Sequence, residues 1–195
     1  PYLSRGLGDV YKRQDRYSSG PRNAIKSTVV NYDWKNFQIL APALQNLKKY
    51  YKPKKLILIG HSGGAYQGGT IHGKVPGLVD INILISCPCD WEIRKKLSNG
   101  KKWETKSQLK ELKKNSPSFN YKDIDLKSLN ILIVGKDDKN TAPGVSKYYY
   151  DLLKKKKLQV KLHIIDGGHG LRSMPTIGSI ICLLYTSPSP RDRYG

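Results

Sequence analysis

Four short runs of apolar, largely β-branched residues punctuate the chain, at 56–59, 81–85, 131–134 and 160–165, the last broken only by Lys161 and His163. Runs of this length that stay apolar throughout fit strands covered on both faces, as in a parallel sheet. Between them the period lengthens. Trp34, Phe37, Leu40, Leu44, Leu47 and Tyr51 follow steps of three and four, which predicts a helix with one apolar stripe before the first strand. Pro42 falls inside that stripe and predicts a kink or break. Further helices are predicted over 90–97, ended by Asn99-Gly100, over 105–114, and over 145–157, where Val145, Tyr149, Leu152 and Leu153 point inward and four lysines close the C-terminal end. Ser116-Pro117-Ser118 reads as a loop. Strands alternating with helices predict an α/β domain, a mostly parallel sheet flanked by helices.

The two ends stand apart from this pattern. A back-translation of residues 1–14, read on the opposite strand and one base out of register, encodes residues 182–194 and leaves the final Gly open. Both segments are therefore expected to be non-native, adapter-derived tails, with 15–181 as a partial natural domain. That removes Cys182 from consideration. Without a native start, targeting is not read. No stretch approaches the ~18–20 apolar residues of a membrane helix.

The formal net charge is +20, and it stays strongly positive without the tails. The excess is mostly Lys on helix faces, at 48–49, 113–114 and 154–157, with no Arg-rich stripe interleaved with aromatics. It is read as solvated surface rather than a nucleic-acid footprint. Cys87-Pro88-Cys89 lacks the second pair that a zinc site requires and lacks C-x-x-C spacing. The two cysteines are expected to be small buried residues at a strand end, and no metal or cofactor is implied.

Chemistry concentrates directly after the first run, at Gly60-His61-Ser62-Gly63-Gly64. This is G-x-S-x-G between a strand and a helix, the turn that presents a nucleophilic hydroxyl above a sheet edge. A helix starting there aims its amides at the site, making the Gly63 N–H an oxyanion donor. A serine needs a base, and the base an acid to fix its tautomer. The third run leads into Gly135-Lys136-Asp137-Asp138 and the fourth into Asp166-Gly167-Gly168-His169-Gly170. Both loops fall at C-terminal strand ends, where open α/β sheets bind ligands. Asp137 and Asp138 both fit the acid position.

With these motifs in order, residues 54–170 resemble the α/β-hydrolase superfamily, especially its esterase and prolyl-oligopeptidase-like branches. The resemblance implies Ser62 as nucleophile, His169 as base and, three residues after the strand-ending Gly, Asp138 rather than Asp137 as acid. It implies acyl transfer with no cofactor, on a small-molecule ester, a thioester or a short peptide substrate. A carboxylic ester hydrolase is the first reading; a prolyl-oligopeptidase-like peptidase and a catalytically silent binding protein are the alternatives. The chain departs from the pattern in lacking an identifiable second oxyanion donor, and Tyr17–Gly20 is a weak candidate for the tail of that region. His61, Asp90 and Trp91 are candidates to shape the pocket, and His72 and His163 read as structural. The roughly 45 residues between the second and third strands have room for a small helical cap.

Overall fold

The structure is a computed structural model, and it describes residues 34–98, 106–170 and 174–186. The expected tail at 1–14, the Tyr17–Gly20 segment, the Asn99-Gly100 stop and residues 187–195 lie outside the described residues. The four apolar runs form strands β1 (Ile57–His61), β2 (Ile81–Ile85), β3 (Leu129–Gly135) and β4 (Gln159–Ile165). They make one parallel sheet in the order β1-β2-β3-β4, with Ile57 beside Ile81, Ile81 beside Leu129 and Leu129 beside Gln159.

Adding parallel strands in one direction with right-handed crossovers puts the connecting helices on one face. The elbow helix α2 (Gly63–Lys74) and helix α6 (Pro143–Lys155) lie there, and Ala65, Tyr149 and Leu153 bury against Leu84 and Leu132. The N-terminal helix α1 (Trp34–Tyr51) packs Phe37, Leu40, Ala41 and Leu44 beside Ile71 and Leu58. The opposite face carries Ile83, Ile85, Ile131 and Ile133, covered by Ile177, Ile180 and Ile181 of the C-terminal helix α7 (Met174–Thr186). That helix runs without a break across the expected tail boundary at 181.

Three expectations change. Helix α1 continues through Pro42 without breaking. Pro42 and Gln38, whose carbonyl loses its amide partner, both lie on the solvent side, where the freed acceptor is open to solvent instead of buried. Cys87 and Cys89 are fully buried at the end of β2 as expected, but as a disulfide rather than two thiols. The segment between β2 and β3 forms α3 (Trp91–Leu97), α4 (Lys106–Lys114), the single-turn α5 (Pro117–Asn120) and a 3₁₀ turn, Tyr121–Asp123. Pro117 thus starts a helix turn instead of a plain loop, the first-turn position where its missing N–H costs nothing.

This excursion lies along the flank of α2. A Cβ on Gly69 would strike the Pro117 ring, and one on Gly73 would strike the Asn120 carbonyl, so two glycines one turn apart leave the channel that α5 fills. Tyr66 donates to the Leu112 carbonyl at 2.7 Å, and the Thr70 hydroxyl lies 2.5 Å from the Asn115 carbonyl. Leu112 also closes a small cluster with Tyr66 and Trp91.

Under α2 the core is polar. Asn82 and Asn130 sit side by side on β2 and β3, both fully buried. The Asn82 amide donates to His72 Nδ1 at 3.2 Å, and His72 Nε2 donates to the Ser128 hydroxyl at 3.0 Å, which in turn donates to the Asp125 carbonyl. His72 is therefore structural, as expected, and held as a neutral ring. Burial pushes its pKa down from 6.5 to about 4. The unfolded chain thus binds a proton between those values that the folded chain refuses. Stability from this group is full above about pH 6.5 and erodes as pH falls toward 4, by about 3 kcal/mol in all. Urea melts at about pH 7, 5.5 and 4.5 should show His72→Gln losing less stability on acidification than wild type; parallel losses would remove His72 as the cause.

Candidate active site

Strand β1 ends at His61, and the backbone reverses at Ser62 with φ 53° and ψ −114°. A non-glycine residue there is strained by about 1–3 kcal/mol and persists because its surroundings fix it. The Ser62 N–H donates to the Ile85 carbonyl at 2.9 Å, and its own carbonyl accepts from Tyr66 at 3.0 Å. The turn also requires Gly60, since a Cβ there would collide with the backbone of Gly64 and Ala65. Gly63 opens α2, so its N–H has no acceptor within the helix and is available to an oxyanion.

The ends of β3 and β4 are pinned together. Lys136 N–H donates to the Ile165 carbonyl at 2.8 Å, and Asp137 N–H to the Gly167 carbonyl at 3.0 Å. A Cβ on Gly135 would strike Gly167 and Gly168, and Gly167 itself takes a φ of 116°. The acid loop and the histidine loop therefore meet. His169 Nδ1 lies 2.9 Å and 3.1 Å from the two carboxylate oxygens of Asp138, and its Nε2 lies 2.9 Å from Ser62 Oγ. Asp137 is exposed, and among the described residues the carboxylate that meets His169 Nδ1 is that of Asp138.

The Asp138 side chain is fully buried. Burial pushes its carboxyl up, but hydrogen bonds from His169 and the Thr141 N–H, the His169 charge and the Ser86 hydroxyl together hold it below the ordinary carboxylate range. Asn140 N–H and Thr141 N–H reach Asp138 Oδ1 at 2.9 Å and 2.7 Å. An ionised carboxylate only accepts hydrogen bonds, so the imidazole proton sits on Nδ1 and leaves the Nε2 lone pair facing the serine hydroxyl.

His61 sits in this cluster. Its Nε2–H donates to the His169 carbonyl at 2.8 Å, and its ring lies 5.2 Å from the His169 ring. Burial lowers its pKa. Asp90 and Trp91 make their contacts within the protein. The Asp90 carboxylate caps α3 through the Ile93 N–H at 2.8 Å and accepts from the Ser118 hydroxyl at 2.7 Å. Trp91 is buried edge-on to Tyr66, with the Arg94 guanidinium 4.6 Å above its ring. Sequence reasoning missed Ser86 and Arg94. Neither lies in a motif, and only the fold brings them to the acid loop.

A sheet of this order carrying a strand-turn-helix serine, with the loops that leave β3 and β4 meeting over it, defines the α/β-hydrolase fold. The model of the prolyl oligopeptidase family matches residues 15–178, and the chain belongs to that family. No curated protein matches the chain. Among solved structures it is similar to an acylaminoacyl peptidase in complex with Z-Gly-Gly-Phe-chloromethyl ketone, at 18% identity and TM-score 0.67 over 77% of this chain and 27% of that one. It is similar to a prolyl endopeptidase at 16% identity and TM-score 0.66, covering 76% and 25% of the two chains. It is also similar to the Pyrococcus furiosus esterase Pf2001 at 20% identity and TM-score 0.59, covering 80% and 62%. The chain thus spans about a quarter of the two peptidases' length.

Gly60→Ala should remove the turn. Because the obstacle is backbone rather than a movable side chain, the expected result is a protein destabilised by about 2 kcal/mol or more, with the serine displaced. A thermal melt of Gly60→Ala within error of wild type would show that the elbow tolerates a Cβ.

Proposed function

We propose that the chain carries the catalytic centre of a serine hydrolase, with Ser62 as nucleophile, His169 as general base, Asp138 as its orienting acid and Gly63 N–H as an oxyanion donor. The observation that carries the reading is the unbroken line from Asp138 through His169 to Ser62, with both imidazole contacts at 2.9 Å. In the first step Ser62 Oγ attacks a carbonyl carbon while its proton passes to His169 Nε2. The oxyanion forms against the Gly63 N–H. Collapse expels the leaving group, which takes the proton from His169, and leaves an acyl-enzyme. Water then gives a proton to His169 and attacks the acyl carbon, releasing the acid and restoring Ser62. Asp138 stabilises the imidazolium formed on the way and stays ionised, which its lowered pKa favours.

The substrate is a carboxylic ester or a short peptide. Family membership and the two peptidase structures favour an amide bond; the similar esterase favours an ester. We read the carboxylic ester as the first substrate, because the described residues between β2 and β3 pack along α2, which suits a compact cap and small substrates. The mechanism needs no cofactor.

A fluorophosphonate probe should label wild type at Ser62, and Ser62→Ala should abolish both labelling and turnover. Turnover of p-nitrophenyl acetate well above that of a proline-containing p-nitroanilide supports the esterase reading, and the reverse order supports the peptidase. Undiminished probe labelling of Ser62→Ala would sink the assignment of the nucleophile.

A further inference from the structure

Arg94, on α3, is almost wholly buried, yet no carboxylate lies within ion-pair distance of it among the described residues. A buried guanidinium without a counter-charge is costly unless its donors are committed elsewhere. Here they are. Nε donates to the Asn140 backbone carbonyl at 3.1 Å, one terminal nitrogen donates to the Asn140 side-chain oxygen at 2.5 Å, and the plane stacks over Trp91. Asn140 in turn gives its N–H to Asp138 Oδ1, with Thr141 beside it. One helical turn further on, the Ser98 hydroxyl accepts from the Ala142 N–H at 3.0 Å. Helix α3 therefore grips the acid turn from Asn140 to Ala142 at two points.

We infer that Arg94 is a positioning residue, which holds the 138–141 turn in the shape that lets Asp138 orient His169. The inference rests on Asp138 being the catalytic acid, as proposed above. Two donors on one residue fix both the main chain and the side chain of Asn140, and the indole face fixes the guanidinium plane. A Lys at this position keeps the charge but offers a point donor without the fork. Small displacements of a catalytic group cost rate far more than they cost binding.

The test is a double-mutant cycle on the full chain with a p-nitrophenyl ester, alongside the low-field proton resonance of the His169 imidazole Nδ1–H. Arg94→Met should lower kcat about tenfold in the wild-type background with KM within about twofold. In an Asp138→Asn background the same change should cost less than about twofold, since the group being positioned is gone. The resonance should shift or broaden in Arg94→Met and recover in part in Arg94→Lys. Equal fold-losses in both backgrounds, or an unmoved resonance beside a lowered melting temperature, would reduce Arg94 to packing and overturn the inference. If Arg94→Met does not fold, Arg94→Lys is carried through the same cycle, and wild-type kcat with an unmoved resonance overturns it. Turnover that survives Ser62→Ala would instead sink the hydrolase reading, while the resonance still tests Arg94.

Discussion

The Gly64 carbonyl occupies the space where a Cβ on Gly60 would stand, and the geometry of the site follows from that close approach. It lets β1 run into α2 through a single strained residue, so the serine hydroxyl rises at the carboxyl edge of the sheet. Parallel register then does the rest. With β2, β3 and β4 aligned on β1, the loops leaving β3 and β4 emerge at the same edge, and Gly135 and Gly167 bring them into backbone contact. Residues 107 and 31 positions from His169 in sequence meet its two ring nitrogens. Each of these steps is a backbone constraint, and the side chains complete what the backbone has aligned.

Much of this was legible beforehand because it is local. The four apolar runs become the four strands with small shifts at their ends, since a covered parallel strand is apolar at most of its positions and the chain shows that directly. The glycine-serine turn is likewise a short-range signal. Asp138 was preferred over Asp137 by resemblance alone, and the geometry has Asp138 buried against the imidazole and Asp137 exposed. Other features were hidden because they are decided in three dimensions. The alternation of Asn82 and Asn130 with isoleucines and leucines looks like two polar flaws in apolar strands. Only their register and the arrival of His72 set them side by side and give the Asn82 amide an acceptor in the ring. Pairing of Cys87 with Cys89 depends on a loop shape that spacing does not reveal. The helix is not broken at Pro42, because the cost of a proline depends on which side of the helix faces water.

The excursion between β2 and β3 shows the same limit at a larger scale. Its length leaves room for a small helical cap, and the contacts of its described residues run to α2 and, through Arg94 and Ser98, to the 138–142 turn. It links the helix that follows Ser62 to the loop that carries Asp138, so the two halves of the site share one support.

The glycines of α2 carry a consequence for how the domain assembles. Five of the helix's twelve residues are glycine, at 63, 64, 68, 69 and 73. An interior glycine disfavours helix by about 1 kcal/mol relative to alanine, and a helix this short is marginal even in favourable sequences. Cut loose from its neighbours, α2 would melt. It is ordered by docking, with α5 lying in the channel at Gly69 and Gly73 and the sheet beneath. The conformation of Ser62 is therefore a cooperative property of α2 and the elements docked on it, and local unfolding of α5 would loosen that turn while the sheet stays intact.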